Sequence, residues 1–350
     1  MRVICRALAL VLIAALLYGG WQWWDYRHRA VVPAGQQVSF EVPRGEAGVG
    51  LAPILQQAGI QVPAWKLSAA FRLRGDGGRI KAGRYTISGP ATLPEVLGAL
   101  VTGQVEKGKL LTLIDGWRFR EVRAALKRAP ELRDTLSGLP DDELMAKLGA
   151  PAGMSPEGRF APDTYEYRPG SSDVELLKRA FELQQRRLKA AWESRQPDLK
   201  LNSADELLTL ASIVEKETGR EEDRALVASV FHNRLRVRMP LQSDPTTIYG
   251  LGERFDGNLR RKDLKDPSPY NTYVHRGLPP GPIAMPGVRA LAATANPASS
   301  PFFYFVARGD GSSEFSKDLA SHNRAVNRFQ RRQGQGVLHG PGAAALEDKP

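Results

Sequence analysis

Two glutamates one residue apart, Glu215 and Glu217, close a strongly helix-forming run, a setting in which a carboxyl can move protons. Ser203 stands three residues before Glu206, the spacing of a capping box. A helix is therefore expected over ADELLTLASIVEKET, stopped by Gly219. With helical periodicity, Leu207, Ala211 and Val214 centre its apolar face, Glu215 and Glu217 fall on opposite flanks, and Lys216 points away. A half-desolvated carboxyl keeps its proton towards neutral pH and can act as a general acid. Glutamate is also disfavoured by the dipole at a helix C-terminus, although a solvated Glu-Lys-Glu terminus fits the same pattern. Periodicity leaves both residues eligible.

Further polar and aromatic motifs follow in close order: His232-Asn233-Arg234-Leu235, Leu241-Gln242-Ser243-Asp244-Pro245-Thr246, Ile248-Tyr249-Gly250 and Tyr270-Asn271-Thr272-Tyr273. Then come Gly277-Leu278-Pro279-Pro280-Gly281-Pro282-Ile283, Asn296-Pro297, Tyr304-Phe305-Val306, Phe315 and Ser321-His322-Asn323. This array resembles the YceG-like family of endolytic murein transglycosylases. The resemblance spans nearly the whole chain and is most specific from Leu207 to Asn323. It implies that the second glutamate of the E-K-E-T run, Glu217, is the catalytic acid/base, with Glu215 the alternative. It further implies endolytic cleavage of the bond between N-acetylmuramic acid and N-acetylglucosamine in nascent strands during wall assembly, leaving 1,6-anhydro ends. Such a lyase reaction needs no cofactor. Its partners would be peptidoglycan glycan, the inner membrane and the wall synthases.

For that chemistry Gln242, Ser243 and Asp244 are expected to converge on the site from a loop after NRLRVRM. Tyr270, Asn271 and Tyr273 offer hydroxyl and amide groups beside flat faces suited to sugar rings, and Asn296, at an expected helix end, joins the candidate contacts. Each also has a purely structural reading, as a turn, a cap or packing. His232, His275 and His322 lack a metal-ligand spacing, so no metal is expected. Two rivals remain: a tethered glycan-binding protein without activity, and a muramidase that hydrolyses the same bond.

The elements that must carry this site can also be read. An α+β fold is expected, in which residues 1–29 form a short cytoplasmic stub and membrane anchor. The anchor is the uncharged stretch Ala7–Trp24, preceded by Arg2 and Arg6 and ended by Trp21, Trp23 and Trp24 at an aromatic-belt position. Those tryptophans occupy the place where a signal-peptide cleavage site needs small residues. The body would then be periplasmic on a single-pass inner-membrane tether.

Residues 30–37 read as a linker. Strand Val38–Val42, helices Val49–Ala58 (closed by Gly59) and Pro63–Leu73, and strand Gly83–Ser88 follow. That order resembles a LysM module, giving a small βααβ subdomain over 30–110. A helix Pro94–Thr102 and a strand Lys109–Ile114 lead into a connecting helical region expected over 111–200. Its helices are Phe119–Arg128, Leu144–Leu148 and Val174–Gln196, and residues 129–175 are otherwise turn-rich. A mixed α/β catalytic region spans 201–332, and 333–350 is an expected disordered tail.

The chain carries 49 Lys+Arg against 38 Asp+Glu, a net charge of +11, which favours anionic surroundings. No nucleic-acid-reading motif accompanies that charge, so nucleic acid is not an expected partner. Cys5 is the single cysteine, which rules out an intrachain disulfide, and its place before the apolar run argues against lipid attachment.

Overall fold

A computed structural model describes residues 2–46, 48–103, 108–136 and 138–331. The chain divides into two compact units, 1–107 and 108–350. The tail 333–350 and the side chain of Cys5 lie outside what is described.

The first unit opens with α1 (Arg2–His28). This helix contains the run Ala7–Trp24, of which the side chains up to residue 9 are outside those described. Among the described residues no helix is long and apolar enough to cross a membrane. Next come β1 (Ala30–Val32), β2 (Gln37–Val42), α2 (Leu51–Gln57), α3 (Ala64–Arg74), β3 (Gly83–Ser88), β4 (Ala91–Thr92) and α4 (Leu93–Thr102).

β2 and β3 pair antiparallel, with Phe40 opposite Tyr85. Alternation drives this ladder: Phe40 and Val42 are buried while Glu41 faces solvent. Gly59 does close the helix before it, at φ 92°, a conformation that glycine adopts without strain. The expected linker 30–37 instead supplies β1, which pairs with β4; three residues are too few for a period to register. Leu51, Leu55, Ile60, Leu67, Tyr85, Val96, Leu97 and Leu100 form the core, each stabilising the unit by about 1.5–3 kcal/mol for a Leu-sized side chain.

The second unit starts with β5 (Lys109–Leu113), α5 (Phe119–Arg128), α6 (Asp141–Lys147), β6 (Asp163–Tyr167) and α7 (Asp173–Glu193). β5 and β6 pair antiparallel, Leu111 opposite Tyr165. The connecting region is thus not only helical: β6 lies in the stretch read as turns, with Tyr165 and Tyr167 turned inward and Thr164 and Glu166 outward.

Beyond it run α8 (Ala204–Glu217), α9 (Glu221–Arg236), α10 (Asp244–Leu251), α11 (Val288–Ala295), the hairpin β7 (Tyr304–Ala307) and β8 (Ser313–Ser316), and α12 (Leu319–Val326). α8 is the central element and touches α7, α9, α10 and α11. Every residue from Leu207 to Val214 is buried, so the helix is enclosed all round rather than on one face. Its interior hydroxyls are satisfied: Thr209 donates to Asp205 O, and Ser212 donates to Thr209 O while accepting from Ile283 N–H. The helix also ends earlier than expected. Thr218 is extended (φ −146°, ψ 130°), its hydroxyl accepts from Arg220 N–H, and Gly219 takes no left-handed conformation.

Candidate active site

Enclosing α8 places its last residue, Glu217, at the floor of a cleft of about 460 Å³. Arg118, Lys216, Asp244, Pro245, Ile248, Ile283 and Ala307 complete the lining. Ser243 donates its hydroxyl to Glu217 Oε1 at 2.6 Å. Burial pushes the Glu217 carboxyl up to about 8, helped by Asp244; the Ser243 hydrogen bond and the Arg234 charge oppose that rise. A carboxyl so placed is mostly protonated at neutral pH.

Glu215 has a different environment. It accepts from Gly287 N–H at 2.9 Å and pairs with the buried Arg224 at 3.3 Å. Burial raises its pKa too, opposed by both of those contacts. Its two oxygens are thus committed to holding the 287 loop and the start of α9.

The loop from α9 to α10 brings Ser243 to Glu217. Gln242 takes φ 51°, a left-handed conformation that strains a side-chain-bearing residue. Its N–H donates to Thr272 O, and Ser243 N–H donates to Thr272 Oγ1. Arg234, fully buried, ties the loop from behind. Its Nη1 reaches Pro240 O, Leu241 O and Gln242 Oε1 at 3.0–3.2 Å, and its Nε donates to Phe303 O. Burial lowers its pKa to about 10.

Asp244 begins α10, followed by Pro245 at a position where a missing N–H costs nothing. Tyr273 donates its hydroxyl to Asp244 Oδ1 at 2.6 Å, while Oδ2 is buried without a partner. Burial raises the Asp244 carboxyl to about 6 against that hydrogen bond.

Of the residues singled out in the sequence, the structure therefore brings Glu217, Ser243, Asp244, Gln242 and Tyr273 together. Asn271 lies beneath them, fully buried and wholly engaged: Oδ1 accepts from Thr247 Oγ1 and Tyr273 N–H, and Nδ2 donates to Leu264 O and Asp266 O. Tyr270 packs its ring 4.7 Å from that of Tyr249 and does not line the cleft. Asn296 is exposed at the C-terminal end of α11 and also lies outside the lining.

Sequence reasoning gave no role to Arg234, Arg118, Tyr249 or Glu157. Arg234 carried a legible signal, a charge inside the apolar stripe of α9. Glu157, in a turn-rich stretch, carried none. It is buried, accepts from Phe119 N–H at 3.0 Å and Tyr249 Oη at 3.2 Å, and burial raises it to about 7.

Comparison with known proteins finds relatives by sequence and by fold. A sequence model of the YceG-like family matches residues 40–328. A Bacillus subtilis protein named endolytic murein transglycosylase is 29% identical over 307 residues, covering 83% of this chain and 84% of its own length. A Streptococcus pneumoniae protein of the same name is 26% identical over 355 residues, covering 91% of this chain and 63% of the relative. A solved yceG-like protein from Listeria monocytogenes superposes with a TM-score of 0.54 at 29% identity, over 83% of this chain and 99% of that one.

Proposed function

The chain belongs to the YceG-like family, and from that premise we propose that it is an endolytic lytic transglycosylase of peptidoglycan in which Glu217 is the single acid/base. The observation that carries the residue assignment is the buried carboxyl of Glu217 on the cleft floor, raised to about 8 and hydrogen-bonded by Ser243.

Neutral Glu217 donates its proton to the glycosidic oxygen between N-acetylmuramic acid and N-acetylglucosamine. The C1–O bond breaks as positive charge develops at the muramyl C1. The Glu217 carboxylate then takes the proton of the muramyl C6 hydroxyl, whose oxygen bonds to C1 and closes a 1,6-anhydro ring. No water is consumed, and the nucleophile is supplied from within the substrate, so one carboxyl suffices. Ser243 supports the second half, because its hydroxyl stabilises the ionised form. Asp244, ionised above about pH 6, supplies negative charge beside the developing cation. Gln242 and Tyr273 hold Ser243 and Asp244 in place.

Asp244 also favours a second reading, hydrolysis, since two carboxyls in one cleft are the usual glycosidase equipment. The product separates the two. Anhydro ends are lighter than reducing ends by one water, and mass spectrometry of digested glycan strands is expected to show anhydro ends. Reducing ends would sink the transglycosylase reading. Glu217→Gln is expected to abolish either product.

The body is placed outside the cytoplasm on a retained inner-membrane anchor near the synthases. In support, Leu10, Val11, Leu12, Ile13, Leu16 and Leu17 of α1 are all exposed, an apolar surface that calls for a non-aqueous environment. At the other end of α1, Tyr26 packs on the first unit's core and Asp25 pairs with Lys66. That unit, with its strand–helix–helix–strand order, is read as a LysM-like module borne by the anchor. Extraction at alkaline pH checks the tether: release into the soluble fraction would refute it.

A further inference from the structure

Arg118 lines the same cleft as Glu217, and its guanidinium has no hydrogen-bond or ion-pair partner among the described residues. It lies over the Tyr249 ring at 5.1 Å. Glu121 and Glu157 act on it through charge alone, while Arg120 repels it. The Glu157 oxygens are taken up by Phe119 N–H and Tyr249 Oη, and Glu121 turns an oxygen to the Arg118 N–H.

The segment bearing Arg118 is firmly held. Gly116 N–H donates to Met285 O, Met285 N–H donates to Trp117 O, and Lys216 Nζ reaches Gly116 O at 3.2 Å. A planar cation, half-buried and fixed on one face while its donors go unused, is equipped to take a carboxylate in bidentate fashion. Lys216, also on the lining, adds a second positive charge to that rim.

We propose that Arg118 is a specificity-determining residue that binds a carboxylate carried on the muramyl side chain of the substrate, orienting the sugar whose C1 reacts at Glu217. The inference rests on the peptidoglycan reading above. Two sources share this chemistry: the lactyl carboxylate of a peptide-free strand, and a carboxylate of the attached peptide.

The test compares wild type, Arg118→Gln and Arg118→Lys on three strands: peptide-bearing, peptide-stripped with free lactyl carboxylates, and peptide-bearing with its carboxylates converted to methyl esters. On peptide-bearing strands Arg118→Gln is expected to raise KM about tenfold, equivalent to about 1.4 kcal/mol, with kcat within about twofold. Arg118→Lys recovers part of that loss, because the charge is kept and the fork is lost. On esterified strands the three proteins converge. A penalty on peptide-bearing strands identifies a carboxylate of the peptide, because the lactyl carboxyl is an amide there, and a penalty confined to stripped strands identifies the lactyl carboxylate.

An equal penalty on esterified strands, or a fall in kcat at constant KM, would overturn the proposal and leave Arg118 as packing for Tyr249. Strand affinity measured in the Glu217→Gln background reads the same contrast without turnover. Failure of wild type to make anhydro ends would thus refute the catalytic reading while the Arg118 contrast is still measured.

Discussion

Replacing Glu217 with Gln should stabilise the protein while it destroys activity. The Glu217 carboxyl sits at about 8 in the folded chain against an ordinary 4.5. Between those values the unfolded chain holds fewer protons than the folded one, so stability falls as pH rises from the lower value to the upper. At about 1.4 kcal/mol per pH unit, the ceiling is roughly 3 kcal/mol at pH 7 and roughly 5 kcal/mol at pH 9. The residue still meets some solvent, and about half of that ceiling is the working figure.

Glutamine carries no titrating proton and keeps an oxygen for the Ser243 hydroxyl. Glu217→Gln should therefore gain about 1.5 kcal/mol at pH 7 and about 2.5 kcal/mol at pH 9, with almost nothing at pH 4.5. Urea unfolding of both proteins at the three pH values, followed by tryptophan fluorescence, measures the difference. A gain that does not grow with pH, or a variant less stable than wild type at pH 9, would refute the claim that this carboxyl is held neutral by burial.

Glu215→Gln should behave in the opposite sense. It leaves the buried Arg224 with only the exposed Glu221 as a carboxylate partner, a loss of about 3 kcal/mol in unfolding experiments, while the folded fraction still forms anhydro ends. Loss of all activity at unchanged stability would move the acid to Glu215. Tyr273→Phe removes the hydroxyl that donates to Asp244, so the Asp244 pKa should climb above about 6 and the acid limb of the pH–rate profile should shift upward with it. The accompanying destabilisation should be about 1–3 kcal/mol by thermal melting. Asn271→Ala deletes four buried hydrogen bonds and should cost about 3 kcal/mol or more; a variant that melts like wild type but binds glycan poorly would make Asn271 a sugar contact instead.

Much of the first unit was legible because its elements bury one face each. Val38–Val42 and Gly83–Ser88 alternate, and the structure pairs them residue for residue. β6 shows the same alternation in DTYEY, but flanking prolines and glycines hid it. α8 was legible as a helix and not as a central one, because a one-sided apolar arc does not reveal that Thr209 and Ser212 would be buried with local partners. That enclosure separates the two glutamates. Periodicity placed them symmetrically, whereas the 287 loop and Arg224 meet only Glu215, and the 243 loop meets only Glu217. Such differences depend on segments about 26 and 72 residues away along the chain, which no local pattern encodes.

The site's polarity is arranged around a carboxyl that must serve twice, first as an acid and then as a base. Burial alone would fix it neutral and stall the second step. A hydrogen bond from Ser243 and the distant charge of Arg234 pull the other way, which keeps the ionised form within reach. Holding Ser243 at 2.6 Å requires a loop that would not adopt this shape by itself, as the left-handed Gln242 indicates. Arg234 answers that requirement: a buried guanidinium that engages three groups of the loop and one of the strand-bearing segment fastens it to both. The same side chain therefore supplies the fastening and part of the charge that tunes Glu217. This dual use gives a physical reason for burying an arginine, ordinarily an unfavourable choice, in the last turn of α9.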